Sequence, residues 1–285
     1  MKAGFWVAPE GGDNAMTVMP IGGDPLDEAP ARRKISLLAT GKAEELIAAC
    51  PRVSKLLPAV VAALETQQAN APGLLFDLTE FSTDELSLID DVVGEGEVAG
   101  LVSLPDGVGA QIQESVMAGL WRVRFTDPNG KLFADYLEVS SLPEIARRAA
   151  LVNCQPLDMG EPPAGAMNVM PLLAEIADRS ETHRVGEPSH TVTFSLLPMT
   201  PEDMSHLQKQ LGPGAVRLVS KGYSSCRILS TGTKNVWSVQ FFNAMDEIVL
   251  DTLEVGDAPA AACAAEDDFR DSAQRLREME EAYFA

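Results

Sequence analysis

A chain of 285 residues, 46% apolar and 22% charged, is globular in composition and long enough for two domains of ordinary size. Its 42 acidic against 22 basic side chains leave a net charge of -20. That balance excludes phosphate-rich partners, because nucleic acid and anionic membrane surfaces are held through Lys and Arg. The N-terminus lacks the apolar core of a secretory leader, and no run reaches the roughly eighteen apolar residues of a membrane helix, so the chain is expected to stay in the cytoplasm.

Residues 1–52 read as an N-terminal arm followed by a helix. The arm is rich in Gly, Pro, Asp and Glu, and Met16, Val18, Met19 and Ile21 are its apolar cluster. Thr40 caps a helix that Pro51 is expected to stop, and a second helix is expected over Leu57 to Gln68 before the Asn70-Ala71-Pro72-Gly73 breaker. Leu74 to Leu78 is an apolar run of strand length. Ser82 and Glu85 then form a capping box for a helix with Leu86, Ile89 and Val93 inside and Gly94 at its end. Strands are expected over Val98 to Leu104 and Ile112 to Met117. Next come Trp121, Val123 and Phe125, alternating with Arg122 and Arg124 as in a strand with one buried face. Asp127-Pro128-Asn129-Gly130 makes the turn, and Lys131 to Val139 returns with Phe133, Leu137 and Val139 on one side. Ser140 or Ser141 caps a closing helix.

This pattern occurs twice. Trp121, Asp135 and the Leu137-Glu138-Val139 run recur 116 residues on as Trp237, Asp251 and Leu253-Glu254-Val255, in a chain with three Trp. Further back the offset is 118, with Ser82 to Glu85 matching Thr200 to Asp203 and Gly94 matching Gly212. The expected organisation is therefore α+β, as two tandem homologous repeats of helix, strand, helix, antiparallel strands and helix. Their bounds are 53–152 and 169–285, joined by a linker over 153–168. The second repeat ends in an extended C-terminal helix capped by Asp257.

Among chemistry-bearing residues, Asp135 and Asp251 share a strand face with apolar neighbours and need a partner. Depending on where the hairpin closes, Arg124 or Arg122 faces Asp135, while Gln240 or Ser238 faces Asp251. Cys50, Cys154, Cys226 and Cys263 are scattered without CxxC or His spacing, and His183, His190 and His206 accompany no nucleophile. No cofactor, metal site or catalytic residue is expected. A metal or iron–sulfur carrier using Cys154, Cys226 or Cys263 with a His is the alternative. A small-molecule enzyme using Asp251 and Glu254 is disfavoured, because residues three apart on a strand face opposite ways. Adjacent Phe241 and Phe242, with Trp237 and Met245, offer soft apolar area for a partner.

The segment from Asn235 to Leu276, NVWSVQFFNAMDEIVLDTLEVGDAP followed by AACAAEDDFRDSAQRL, resembles the C-terminal signature of the HupH/HyaF family of hydrogenase expression proteins. The resemblance implies a cytoplasmic, non-enzymatic accessory protein for maturation of a nickel–iron uptake hydrogenase. Its partners would be an immature hydrogenase subunit or other accessory proteins. It also implies fold-defining or partner-facing roles for Asn235, Trp237, Asn243, Asp246, Asp251 and Glu254, to which Phe242 and Met245 are added as partner-binding candidates. The first repeat departs from the signature, with Gly119 in place of Asn235, Asp127 in place of Asn243 and Gly130 in place of Asp246.

Overall fold

The structure, a computed structural model, describes residues 48–152, 154–222 and 225–283. The arm, its apolar cluster and most of the helix expected from Thr40 lie outside the described residues. Helical residues Ala48 and Ala49 end at Cys50, and helix α1 spans Pro51–Thr66, so Pro51 both follows the end of one helix and starts the next. At the first helical position its missing N–H costs nothing and its φ is already helical. The second helix thus starts at Pro51 rather than at the expected Leu57, and Pro58 lies inside it.

Strand β1 (Leu74–Asp77), α2 (Thr83–Val93), β2 (Val98–Ser103), β3 (Gly109–Glu114), β4 (Leu120–Thr126), β5 (Leu132–Val139) and the short α3 (Glu144–Ala149) come next in the chain. Then come α4 (Val169–Thr182), β6 (His190–Thr193), α5 (Pro201–Leu211), β7 (Pro213–Ser220), β8 (Ser225–Thr231), β9 (Val236–Phe242), β10 (Ile248–Val255) and α6 (Glu266–Tyr283). The class is α+β with antiparallel strands, as the pattern of turns and alternation implies.

Contacts divide the chain into two compact units. Among the described residues, the first holds 48–99, 106–144 and 264–283. In it β1, β5, β4 and β3 pair antiparallel in that order. One face of these strands, carrying Leu120, Leu137 and Val139, packs on α1, α2 and α6. Helix α6 enters this core through Phe269, Ala273 and Leu276. Gly119 (φ +83°) makes room for it, since a Cβ there would come within 2.5 Å of the Phe269 ring. Ser272 Oγ and Arg275 Nη1 also donate to the carbonyls of Ala118 and Val116. The C-terminal helix thus completes the first unit, although it comes last in the chain.

The second unit comprises Gly100–Pro105 and Ile145–Cys263, with β7, β8, β9, β10 and β6 paired antiparallel in order. Val236, Leu253 and Val255 pack on α4 and α5.

Both expected capping boxes form. Ser82 and Glu85 exchange side-chain and backbone bonds at α2, as do Thr200 and Asp203 at α5. Gly94 (φ +58°) and Gly212 (φ +63°) end the two helices in the conformation that a Cβ disfavours. The two N3 carboxylates then reach different neighbours. Glu85 pairs with Arg52 of α1 at 2.9 and 2.5 Å. Asp203 Oδ1 instead accepts the N–H groups of Met167, Asn168 and Val169 at 2.8, 3.0 and 3.0 Å, so it caps α4 as well as α5. Asp257 does not cap the last helix. It accepts from His183 Nε2 and the Gly186 N–H, while Asp268 of α6 accepts from the Ala265 N–H. Ser141 Oγ donates to the Ala69 carbonyl.

Candidate functional site

The hairpins β4–β5 and β9–β10 carry most of the residues singled out by sequence, and they share one turn. Asp127 Oδ1 accepts the N–H of Asn129 and Lys131, each at 2.9 Å. Asn243 Oδ1 accepts the N–H of Met245 and Glu247 at 2.9 and 3.0 Å. The backbone bonds match as well, from Gly130 N to Asp127 O and from Asp246 N to Asn243 O. Gly130 (φ +80°) and Asp246 (φ +57°) hold the left-handed position of this turn, and Gly119 (φ +83°) and Asn235 (φ +60°) hold another just before each first strand. Asn, Asp and Gly are the residues that enter this region most readily. The departures at Gly119/Asn235 and Gly130/Asp246 therefore preserve one backbone shape. Each hairpin also carries a bulge, between Phe125 and Thr126 in one and between Ile248 and Leu250 in the other.

Register places Trp121 opposite Glu138 and Trp237 opposite Glu254. Both Trp side chains are buried, Trp237 at 3% exposure, which gives it the position of a core residue. Trp121 Nε1 donates to the Ser140 carbonyl at 2.9 Å. Glu138 accepts the N–H of Glu144 at 2.8 Å, and burial pushes the Glu254 carboxyl above its ordinary range.

Asp135 and Asp251 take the opposite face, beneath the helices. Asp135 faces Arg124 directly, yet the bidentate bond comes from Arg122 one pair along, Nε to Oδ1 at 2.5 Å and Nη2 to Oδ2 at 2.7 Å. Arg122 Nη1 also reaches Asp90 of α2 at 2.7 Å. Arg122 is 3% exposed, which corrects the expectation of one buried face, since both faces of β4 are covered here. Asp251 faces Gln240, whose Nε2 donates to it at 3.3 Å.

At the tips the picture inverts. Phe133, expected inside, is 52% exposed because it lies on the bulge, beyond the helices. Met245 is 76% exposed and Val249 61%, with Leu250 open beside them. Phe241 and Phe242 are both half-buried, and the Arg227 guanidinium lies 5.2 Å from the Phe242 ring centroid. Leu196 and Leu197, in the turn that lies against β10, are exposed too. Sequence reasoning had not included Val249, Leu250, Leu196 or Leu197. Of the candidates, Phe242, Asn243, Met245 and Asp246 gather at this tip, whereas Asn235, Trp237, Asp251 and Glu254 lie toward the other end of the hairpin or inside it.

The family model for the HupH hydrogenase expression protein, C-terminal conserved region, matches residues 48–151 and 166–283. The chain belongs to the HupH family of hydrogenase expression proteins. Over its full 285 residues this HupH-family chain is 57% identical to the hydrogenase expression/formation protein HupH of Rhizobium leguminosarum bv. viciae, also covered in full. It is 32% identical over 217 residues, 75% of each chain, to the hydrogenase-1 operon protein HyaF of Escherichia coli (strain K12). A solved structure of hydrogenase expression protein HupH from Thiobacillus denitrificans ATCC 25259 aligns at 27% identity with a TM-score of 0.37, covering 41% of this chain and 99% of that one.

Among the described residues, no three His, Cys, Asp or Glu side chains come together as a metal site. Burial, with Glu254 nearby, pushes the Cys226 thiol up to about 12. Cys154 borders a cavity of about 220 Å³ lined by Ala149, Val152, Pro213 and Thr231, and burial raises its thiol as well. His183 pairs with Asp257 and His206 with the Met159 carbonyl, so the imidazoles are distributed over separate sites. No helix among the described residues is long and apolar enough to cross a membrane.

Proposed function

We propose that this chain is a non-catalytic accessory protein for maturation of a nickel–iron uptake hydrogenase. It works in the cytoplasm by holding an immature hydrogenase subunit or another maturation factor. The proposed gripping surface is the tip of the β9–β10 hairpin, with Phe242 and Met245 as contacts and Asn243 and Asp246 setting the shape of the turn. The single observation that carries this reading is the exposure of Met245 and Val249, at 76% and 61%, on a hairpin whose turn is closed by its own hydrogen bonds. Soft and aliphatic side chains held open to water mark interaction surfaces, and relatives such as HupH of Rhizobium leguminosarum bv. viciae are named hydrogenase expression/formation proteins. Asn235, Trp237, Asp251 and Glu254 act in this reading as the frame behind the surface.

The chain is further read as two tandem repeats, 53–152 and 169–285, which the shared turn, the paired capping boxes and the equivalent left-handed positions support. Affinity capture of the tagged full chain from hydrogenase-expressing cells, with mass spectrometry of the co-purifying proteins, tests the proposal. A hydrogenase subunit precursor or another maturation factor is the expected companion. Recovery of neither, while the tagged chain is folded and soluble, would count against it.

A further inference from the structure

Strand β1 is the outermost strand of the first unit, and among the described residues nothing pairs with its outer side. Its register pairs Leu74 with Val139 and Phe76 with Leu137, and the Leu78 N–H continues the ladder to the Asp135 carbonyl. Antiparallel ladders alternate, so Leu74, Phe76 and Leu78 bond inward and the N–H and C=O of Leu75 and Asp77 point outward. The strand is also apolar where it is open, with Leu75 60% exposed and Leu74 44%. Strand β6, at the edge of the second unit, has the sequence His-Thr-Val-Thr instead, so an apolar edge is not something that an edge strand of this type requires. Exposed apolar edges are sites of strand addition, and proteins usually blunt them with charge, Pro or a bulge.

We infer that the outer edge of β1 receives an extended segment of a partner polypeptide, added antiparallel as a further strand. This rests on the partner-binding reading above for the source of the segment. Charge sets the chemistry of the occupant. Asp77, Glu80 and Asp84 are exposed at the C-terminal end of β1, and the nearby Arg52 is already held by Glu85 and the Glu80 carbonyl. An incoming antiparallel strand starts at that acidic end and finishes beside Leu74. The fitting segment therefore has basic residues first and alternating apolar residues after them. A second copy fits less well, because each chain carries a net charge of -20.

The test uses the full-length chain and a capped peptide of two lysines followed by alternating Val and Thr. A control peptide is N-methylated at alternate residues so that it cannot pair. Peptide binding should shift and protect the backbone amides of Leu75 and Asp77, and the methylated peptide should not. Leu75→Pro removes an outward donor but no inward bond, so it should keep the cooperative melt while weakening the peptide by about tenfold or more. Leu75→Thr keeps the backbone and should weaken it less. Equal binding by Leu75→Pro or by the methylated peptide would overturn the inference, as would a concentration-dependent dimer abolished by Leu75→Pro. Capture of a hydrogenase subunit by wild type and Leu75→Pro alike would also overturn the edge assignment while leaving the accessory reading standing. Peptide pairing without any subunit capture would support the edge and contradict that reading.

Discussion

Arg122 grips Asp135 through two bonds of 2.5 and 2.7 Å with both side chains almost wholly out of water, whereas the equivalent positions of the other hairpin hold Ser238 and Asp251. The first hairpin thus satisfies a buried carboxylate with guanidinium, and the second satisfies a half-buried one with the Gln240 amide. Breaking a buried pair on one side leaves an uncompensated charge. Arg122→Met is therefore expected to lower unfolding free energy by about 3–5 kcal/mol, measured by urea denaturation. Gln240→Leu should cost no more than about 1–2 kcal/mol, because it removes one neutral donor. Equal costs would refute the contrast.

Glu114 supplies the pH dependence. It is buried opposite Trp121, and burial raises its carboxyl to about 7, with Asp268 and Glu97 adding to the rise against the N–H groups of Gly119 and Val98. Its folded value lies above its unfolded one, so the native state holds the proton more tightly. Stability should then be greatest below about pH 4.5 with respect to this group and fall as pH climbs to about 7, by roughly 3 kcal/mol in total. Glu254, raised by burial too, adds in the same direction. At the acid end Asp203 opposes them. Burial pushes it up, but four backbone N–H donors outweigh that and hold it at about 2, so its contribution is lost as pH falls below 3.8. Glu114→Gln should flatten most of the slope between pH 4.5 and 7 in a series of thermal melts. An unchanged slope would show that Glu114 titrates normally.

The turn makes a prediction that separates shape from recognition. Asp246 sits at φ +57° where the first hairpin has Gly130, and Asn235 at +60° where it has Gly119. Asp246→Gly and Asn235→Gly should leave stability within about 1 kcal/mol, whereas Asp246→Ala should cost about 1 kcal/mol or more. Asn243→Ala, which removes two acceptor bonds at the turn, should cost about 1–2 kcal/mol. Partner capture that survives Asp246→Gly would mark Asp246 as a backbone residue. Capture lost with the fold intact would mark its carboxylate as a contact.

The C-terminal helix should matter most to the unit built from the start of the chain. Phe269 is 1% exposed in the first core and packs on Gly119. Phe269→Ala should cost about 3–5 kcal/mol by the loss of packing and the cavity left behind. Hydrogen exchange should register the loss in β4 and β5 more than in β9 and β10, and the reverse distribution would contradict the observed packing.

How much of the fold can be read from the sequence depends on the range of the interaction. The capping boxes at Ser82 and Thr200, the Asp127 and Asn243 turns and the Gly94 and Gly212 stops are local chemistry, readable within a few residues. The pairing of Asp135 was readable to within one cross-strand step, because the turn residues left the register open by that much. Two features depend on distant contacts and were not legible. Alternation at Arg122 looks like a half-solvated strand until α2 is laid over it with Asp90. Helix α6 lies at the far end of the chain, and nothing in its own spacing says that Phe269 belongs under Gly119. Pro51 gave the stop after Ala49 correctly, and only the start of α1 at Pro51 itself was placed too late. At the tip, Phe242 and Met245 stood out by residue type, while nothing singled out Val249 and Leu250, because strand periodicity does not reveal where the covering helices end.

The central claim, that the β9–β10 tip grips a hydrogenase subunit or maturation factor, is tested most directly by placing charge on it. Met245→Glu with Val249→Glu adds two carboxylates at exposed positions, so the variant should melt within a few degrees of wild type. In capture from hydrogenase-expressing cells, the account predicts that the bound subunit or factor falls by about tenfold or more at equal bait. Capture at the wild-type level by a normally folded double variant would contradict it.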